Sequence, residues 1–250
     1  MNKFIFLVKV SIGYWKRNGL ISLLNKVRKN IFSLNALYQM DVSRTYDFID
    51  QKSVGVLWSE ELCEENVVNW VIPNFGIGSG GHLNIFRFIS FLENANYKIN
   101  IIIDEPDVGQ NVAAIKEKIC DNFIKLKANI YIGIDNAPPA YATFATSWSS
   151  AYSVKAFNST KKKFYFIQDY EPNFYALGSE YIWAENTYKF GFTGITAGKW
   201  LTDKLSSEFG MQCDHVGFSY EKDRYTAIDQ SEKQVRSKTR IFFYARPPTP

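Results

Sequence analysis

Short apolar runs recur between residues 67 and 218, and stretches with helical periodicity separate them. Runs rich in Val, Ile and Phe are typical of strands buried on both faces, and strands that alternate with helices form parallel sheets. We therefore predict an α/β fold, a Rossmann-like parallel sheet with helices on both faces. The six predicted strands are residues 67–72, 99–103, 129–134, 164–167, 192–196 and 213–218.

Five helices are predicted between these strands. The clearest has apolar residues at helical spacing from Val112 to Leu126, with charged residues on the opposite side. The other four are predicted at residues 81–96, 140–154, 178–188 and 198–209.

Composition divides the chain into three predicted parts. Residues 1–65 form a basic helical N-terminal segment and its connection, and residues 66–220 form the Rossmann-like domain. Residues 221–250 contain a polar linker and a seventh apolar strand, near residues 240–247, which either joins the preceding sheet or begins a second domain.

The N-terminal segment is strongly basic. Residues 1–40 contain seven Lys or Arg and no acid, and residues 20–31 place apolar side chains at helical spacing. This pattern predicts peripheral contact with an anionic membrane, and a helix packed on its own domain fits it equally well. The remainder carries 22 basic and 25 acidic residues, which disfavours nucleic-acid binding.

Localisation and metal content follow from the cysteines and the apolar runs. The three cysteines are far apart and form no metal-ligand pattern, which predicts a reducing cytoplasmic environment and no bound metal. The first apolar run is too short to span a bilayer and no signal-peptide cleavage site follows it. We expect a cytoplasmic protein, at most peripheral on the inner membrane face.

A glycine-rich turn follows the first predicted strand. Gly78, Gly80, Gly81, His82 and Asn84 lie where the chain passes from strand to helix. Glycines let the backbone approach a ligand, and the first N–H groups of a helix bind anions or hydroxyl groups. At a helix N-terminus His82 is expected to be neutral, either as a general base or as a cap of the loop.

A second candidate turn follows the fourth predicted strand, at residues 168–175. Asp169, Tyr170, Glu171 and Tyr175 provide carboxylates and aromatic rings, the groups that bind sugar hydroxyls and the apolar faces of sugars. The alternative is an ordinary turn in which Asp169 caps the backbone. Because ligands bind beyond the carboxyl ends of parallel strands, we expect both turns to open onto one groove.

Weaker signals lie elsewhere in the predicted sheet. Thr196 and Lys199 follow the fifth predicted strand and are expected to meet an anionic group. Trp148, Ser149 and Ser150 are expected to pack on the sheet rather than line the groove.

The glycine turn also fits a dinucleotide-binding fingerprint, Gly76-x-Gly78-x-x-Gly81. Asp104 closes the second predicted strand, where an acid would bind a ribose hydroxyl of NAD(P). An NAD(P)-dependent enzyme is therefore one alternative, and a stand-alone glycan-binding module is another.

Several motifs occur together in one order: residues 71–73 and 78–84, then 166–172, 194–196 and 241–247. This set resembles the N-terminal part of bacterial rhamnosyltransferases of the WsaF type, which are GT-B glycosyltransferases near the retaining family 4. The resemblance spans roughly residues 66–250.

The resemblance implies a two-domain enzyme whose N-terminal domain binds the acceptor glycan and whose C-terminal domain binds a nucleotide sugar, suspected to be dTDP-rhamnose. It implies that residues 221–250 are a linker and the first strand of this donor domain, so we expect the chain to be an incomplete enzyme, inactive alone. It implies that His82 lies near the transferred sugar, that Asp169, Tyr170 and Glu171 lie on the acceptor side, and that neither a metal nor a resident cofactor is required.

Overall fold

The computed structural model describes residues 52–104 and 111–217, together with the single positions 49 and 241. The chain divides into two compact units, residues 1–50 and 51–250, and the second contains all the elements below. The strand predicted near residues 240–247 lies outside the described residues, apart from position 241. Among the described residues, no helix is long and apolar enough to cross a membrane.

Within the described residues, seven strands form one parallel sheet in the order β3-β2-β1-β4-β5-β6-β7. This confirms the predicted parallel α/β fold. The strands are β1 (Val67–Ile72), β2 (Lys98–Ile103), β3 (Asn129–Ile132), β4 (Ala140–Ala145), β5 (Thr160–Ile167), β6 (Thr193–Ala197) and β7 (Cys213–Val216).

Helices follow most of the strands. They are α1 (Gly80–Asn94), α2 (Val112–Asn122), α3 (Trp148–Ala156), α4 (Ser179–Asn186) and α5 (Lys199–Phe209). Short 3₁₀ turns occupy Ile134–Asn136, Glu171–Phe174 and Thr187–Lys189.

The helices cover both faces of the sheet, as predicted. Alternate side chains of a strand point to opposite faces. Accordingly, Trp70 of β1 packs in a core cluster with α1 and α2, whereas its neighbour Val71 packs in a second cluster with α3 and α5. Burial on both faces explains why β1 and β2 are nearly continuous apolar runs.

The chain changes direction across the sheet between β1 and β4. From β1 it winds outward through β2 to β3, then returns to the other side of β1 and continues outward from β4 to β7. The crevice beyond the carboxyl ends of β1 and β4 is thus the topological switch point of a doubly wound sheet, where ligands bind in such folds.

The predicted helix at residues 140–154 is wrong over its first half. Ala140–Ala145 is a strand that pairs with both β1 and β5, and the helix begins only at Trp148. Alanine favours helices, and small residues in β4 pack between two neighbouring strands. The helix start is fixed by a capping box in which the Ser147 and Ser150 side chains each bond the other's backbone N–H.

A row of asparagine side chains crosses the sheet, buried at Asn69 and Asn100 and exposed at the edge strand. Asn69, Asn100 and Asn129 are in register on β1, β2 and β3. Asn100 Nδ2 donates to Asn69 Oδ1 at 2.9 Å, and Asn129 Nδ2 donates to Asn100 Oδ1 at 3.3 Å. Asn69 Nδ2 donates in turn to the carbonyl of Pro138 at 2.7 Å. This asparagine row satisfies polar groups that would otherwise be costly to bury.

Candidate functional site

A cleft of about 470 Å³ opens at the switch point. Its walls are the segments that follow β1, β4 and β5, so the glycine turn and the turn after β5 lie on the same cleft. The lining residues are Pro73, Ser79, Gly81, His82, Ile85, Thr146, Ser147, Trp148, Ser149, Gln168, Asp169, Glu171, Phe174 and Tyr175.

The glycine turn, residues 73–79, is long and open. Gly78 has φ 84°, a conformation that glycine adopts without strain. A Cβ atom added at Gly76, Gly78 or Gly80 would meet nothing within 4 Å. Ser79 is the N-cap of α1, and its hydroxyl accepts the backbone N–H of His82. The turn therefore leaves open space next to the first turn of the helix.

The imidazole of His82 is tied to Ser79. Its Nδ1 lies 2.8 Å from Ser79 Oγ, and its ring stacks on Phe75 with 5.3 Å between ring centroids. Nε2 is buried and has no hydrogen-bond partner among the described residues. Burial lowers the pKa of His82; the Pro73 carbonyl opposes this shift and Lys118 adds to it. This lowered pKa favours the neutral form of the ring.

Gln168 connects the turn after β5 to the start of α1. Its Nε2 donates to the carbonyl of Gly81 at 3.2 Å, and its Oε1 accepts from Nδ2 of Asn84 at the same distance. A Cβ atom on Gly81 would lie 3.5 Å from the Gln168 amide. Asn84 therefore does not line the cleft itself, but positions a side chain that does.

Glu171 is a buried acid in the cleft wall, with 7% of its surface exposed. Its carboxylate accepts the backbone N–H of Trp148 at 2.7 Å and the hydroxyl of Tyr165 at 3.1 Å. Burial raises its pKa to about 7, although these two hydrogen bonds lower it. The carboxylate occupies the N-terminus of α3, where an anionic ligand group would otherwise bind.

Aromatic side chains form one wall of the cleft. Trp148 Nε1 donates to the hydroxyl of Tyr175 at 2.8 Å, and the two rings meet edge to face. Phe174 beside them is 48% exposed. Flat aromatic surfaces next to polar groups are suited to the apolar faces of sugar rings.

Tyr170 points away from the cleft. It is buried, its ring stacks on Tyr188, and its hydroxyl donates to Glu185 at 3.1 Å. Asp169 is exposed on the cleft, and one of its oxygens accepts the backbone N–H of Tyr170.

Thr196 and Lys199 do not line this cleft. Thr196 is buried, and its hydroxyl is 2.6 Å from that of Thr202. Lys199 forms an ion pair with Asp203 one helical turn later, at 2.6 Å. The structure gives both side chains partners within their own turn and helix.

The carboxylate of Asp104 accepts a hydrogen bond from α3. Its Oδ2 accepts the hydroxyl of Ser153 at 2.6 Å, whereas a dinucleotide-binding acid would bind a ribose hydroxyl. In addition, residues 73–79 separate β1 from α1, in place of the tight turn of the dinucleotide fingerprint.

A further wall of the cleft follows β4. Packing on the sheet was the preferred prediction for Trp148 and Ser149, with a place in the groove as the alternative, and both line the cleft beside Thr146 and Ser147. The available signal was the run of Ser and Thr at residues 146–150, which is typical of a helix start. Among the described residues, no group of three or more His, Cys, Asp or Glu could hold a metal ion.

The doubly wound sheet and the cleft at its switch point define a Rossmann-like domain with a candidate ligand site. Residues 89–197 match the model of the WsaF N-terminal domain, the family that the resemblance indicated. The match includes α3 and the turn after β5, and begins after the glycine turn.

A curated relative points in the same direction. The chain is similar to the O-antigen biosynthesis protein RfbC of Myxococcus xanthus, with 30% identity over 184 residues. The similarity covers 71% of this chain and 14% of that protein, so the chain spans only a small part of its relative's length.

Proposed function

We propose that this domain binds the acceptor saccharide of a glycosyltransferase in bacterial surface glycan synthesis. The observation that carries the proposal is the cleft itself, which joins the glycine turn, an exposed carboxylate at Asp169 and the aromatic wall of Trp148, Phe174 and Tyr175. Carboxylates, amides and hydroxyls suit sugar hydroxyl groups, and the rings suit the apolar faces of sugars. The similarity to an O-antigen biosynthesis protein supports this assignment.

The charge of the cleft favours a neutral sugar over a nucleotide at this face. Asp169 and Glu171 are acidic, and no Lys or Arg occurs among the described residues that line the cleft. A diphosphate would meet these carboxylates without a cationic partner. We assign donor binding to a separate domain of the full enzyme, with dTDP-rhamnose as the donor that the family resemblance suggests.

The site of action is part of the same proposal. Synthesis from a nucleotide sugar would occur in the cytoplasm, and the basic residues 1–40 would attach the enzyme to the anionic inner face of the membrane. This segment lies outside the described residues, and its charge supports the proposal.

Binding of defined probes to the full chain tests the function. We expect a rhamnose trisaccharide to give saturation-transfer NMR signals and a measurable Kd by calorimetry, while NAD⁺ and dTDP give neither. Asp169→Asn should weaken saccharide binding, and Lys199→Ala is the control outside the cleft. Tight NAD⁺ binding that Asp104→Ala abolishes would instead identify a dinucleotide enzyme. Failure of rhamnose, mannose and glucose oligosaccharides to bind would contradict the proposal.

A further inference from the structure

We propose that the hydroxyl of Ser79 is the group with which the glycine turn binds a ligand hydroxyl, and that His82 is the positioning residue that orients it. This inference rests on the proposed saccharide-binding function. The sequence suggested that His82 contacts the ligand directly. We assign that contact to Ser79 instead.

His82 has no nitrogen available for a ligand. Nδ1 is occupied by Ser79 Oγ at 2.8 Å, and Nε2 is buried on the far side of the ring. Stacking on Phe75 at 5.3 Å, with 30° between the ring planes, holds the imidazole in this orientation. Ser79, by contrast, lines the cleft next to a glycine whose surroundings are open.

The direction of the Ser79–His82 hydrogen bond follows from the surroundings of the ring. Neutral imidazole carries one proton, on either nitrogen. We assign the proton to Nε2, because Ser79 Oγ already accepts the backbone N–H of His82 and so has its own hydrogen left to donate to Nδ1. Nδ1 then accepts the hydrogen of the Ser79 hydroxyl.

This orientation gives Ser79 a defined chemical role. With its hydrogen donated to Nδ1, the serine oxygen presents lone pairs to the cleft. One of them receives only the long capping bond from the His82 backbone N–H, at 3.5 Å. Ser79 is therefore an acceptor for a sugar hydroxyl, next to helix N–H groups that act as donors.

Three variants of Ser79 separate this role from helix capping. Ser79→Ala removes both the hydroxyl and the cap, Ser79→Asn keeps a cap, and Ser79→Thr keeps both. With the rhamnose trisaccharide as probe, we expect Ala and Asn to weaken binding about tenfold, the loss of one hydrogen bond, and Thr to restore it to within about threefold of wild type. Full affinity in Ser79→Asn would overturn the inference while leaving the proposed function in place.

A spectroscopic measurement tests the positioning role without any ligand. In ¹⁵N-labelled full chain at pH 7, long-range ¹H–¹⁵N correlations should show the His82 proton on Nε2 and none on Nδ1. A protonated Nδ1 would overturn the inference. His82→Phe keeps the aromatic packing on Phe75 and removes the acceptor, so it should weaken trisaccharide binding by about threefold to tenfold; unchanged affinity in this variant would contradict the role of His82.

Discussion

Two strand-to-helix turns at the carboxyl edge of the sheet resemble each other in sequence and differ in what they do with their polar groups. The turn between β1 and α1 spans residues 73–79 and opens onto the cleft. The turn between β6 and α5 is the single residue Gly198, whose N–H donates to the carbonyls of Thr196 and Val216. Small residues and a helix start therefore do not by themselves identify a binding site.

The difference lies in length and internal hydrogen bonding. At the β6 turn, the hydroxyl of Thr196 and the ammonium of Lys199 bind groups of their own segment. At the cleft, the backbone turns widely around Gly78, and partners come from distant elements such as Gln168. A turn whose polar groups are hydrogen-bonded within the turn has few donors or acceptors left to bind a ligand.

The largest contrast between the cleft and the β6 turn should be in stability. Glu171→Ala removes the carboxylate that accepts from the backbone N–H of Trp148 and the hydroxyl of Tyr165 inside the cleft wall, so we expect a loss of about 4 kcal/mol in the free energy of unfolding. Thr196→Val at the closed turn removes weaker neutral bonds and should cost about 1 kcal/mol. Urea unfolding of both variants measures the difference. Equal losses would show that Glu171 does not anchor the cleft wall.

Stability should also depend on pH through Glu171. Its pKa is about 7 in the folded chain against 4.5 for an ordinary Glu, so the folded state binds the extra proton. The resulting stabilisation is fully present below pH 4.5, is lost as the pH rises through 7, and amounts to at most about 3 kcal/mol. Unfolding free energies of wild type minus Glu171→Gln, from pH 5 to 8, isolate this effect.

Subtracting the unfolding free energy of Glu171→Gln removes the contribution of His82, which changes stability with pH in the opposite direction. Its lowered pKa means that the unfolded chain binds a proton more readily, which reduces stability as the pH falls below 6.5. The Gln variant keeps this contribution, so it cancels. A difference that does not fall between pH 5 and 8 would contradict the raised pKa of Glu171.

The free energy of saccharide binding should distinguish the cleft from the β6 turn by a smaller amount. Asp169→Ala removes an exposed carboxylate from the cleft, and we expect about tenfold weaker binding of the rhamnose trisaccharide, equivalent to about 1.4 kcal/mol. Lys199→Ala at the β6 turn should leave the affinity unchanged, because Lys199 is paired with Asp203 outside the cleft. Calorimetry gives both values, and a loss confined to Lys199→Ala would reverse the comparison.

The smallest expected effect comes from Gly80→Ala. Its added Cβ meets no protein atom, and alanine favours a helix, so the variant should be more stable by about 0.5 kcal/mol. Gly80 is not among the residues that line the cleft, so trisaccharide affinity should be unchanged. Gly198→Ala is the counterpart at φ 93°, where alanine is strained and should cost about 1 kcal/mol. Thermal unfolding and calorimetry together test the pair.

The sequence was sufficient for most of the sheet, because strands buried on both faces appear as apolar runs. β1 was predicted with its observed bounds, and β2 and β6 within one residue at each end. β5 begins at Thr160, earlier than predicted. Its first half was not recognised because Lys161–Lys163 interrupt the apolar pattern. β4 was missed because the three alanines among its six residues favour a helix and outweighed the strand preference of its Tyr, Thr and Phe, although it pairs with two neighbours.

Because β4 was not predicted as a strand, the prediction of the cleft was incomplete. The glycine turn and Asp169 were found because glycine runs and clustered acids stand out locally. Trp148 and Ser149 join them only because β4 lies next to β1, which no local pattern indicates. Likewise, the sequence could not show that Tyr170 turns inward to Glu185 whereas its neighbour Asp169 faces the cleft.

The asparagine row determines the relative positions of the carboxyl ends of the strands. A shift of β1 against β2 by one residue would exchange the faces of every side chain and separate the Asn69 and Asn100 amides. Apolar contacts alone tolerate such sliding better than paired amides do. Asn69 is also in register with Thr143 of β4. By fixing the register of β1, the row therefore fixes where the carboxyl ends of neighbouring strands lie at the crevice.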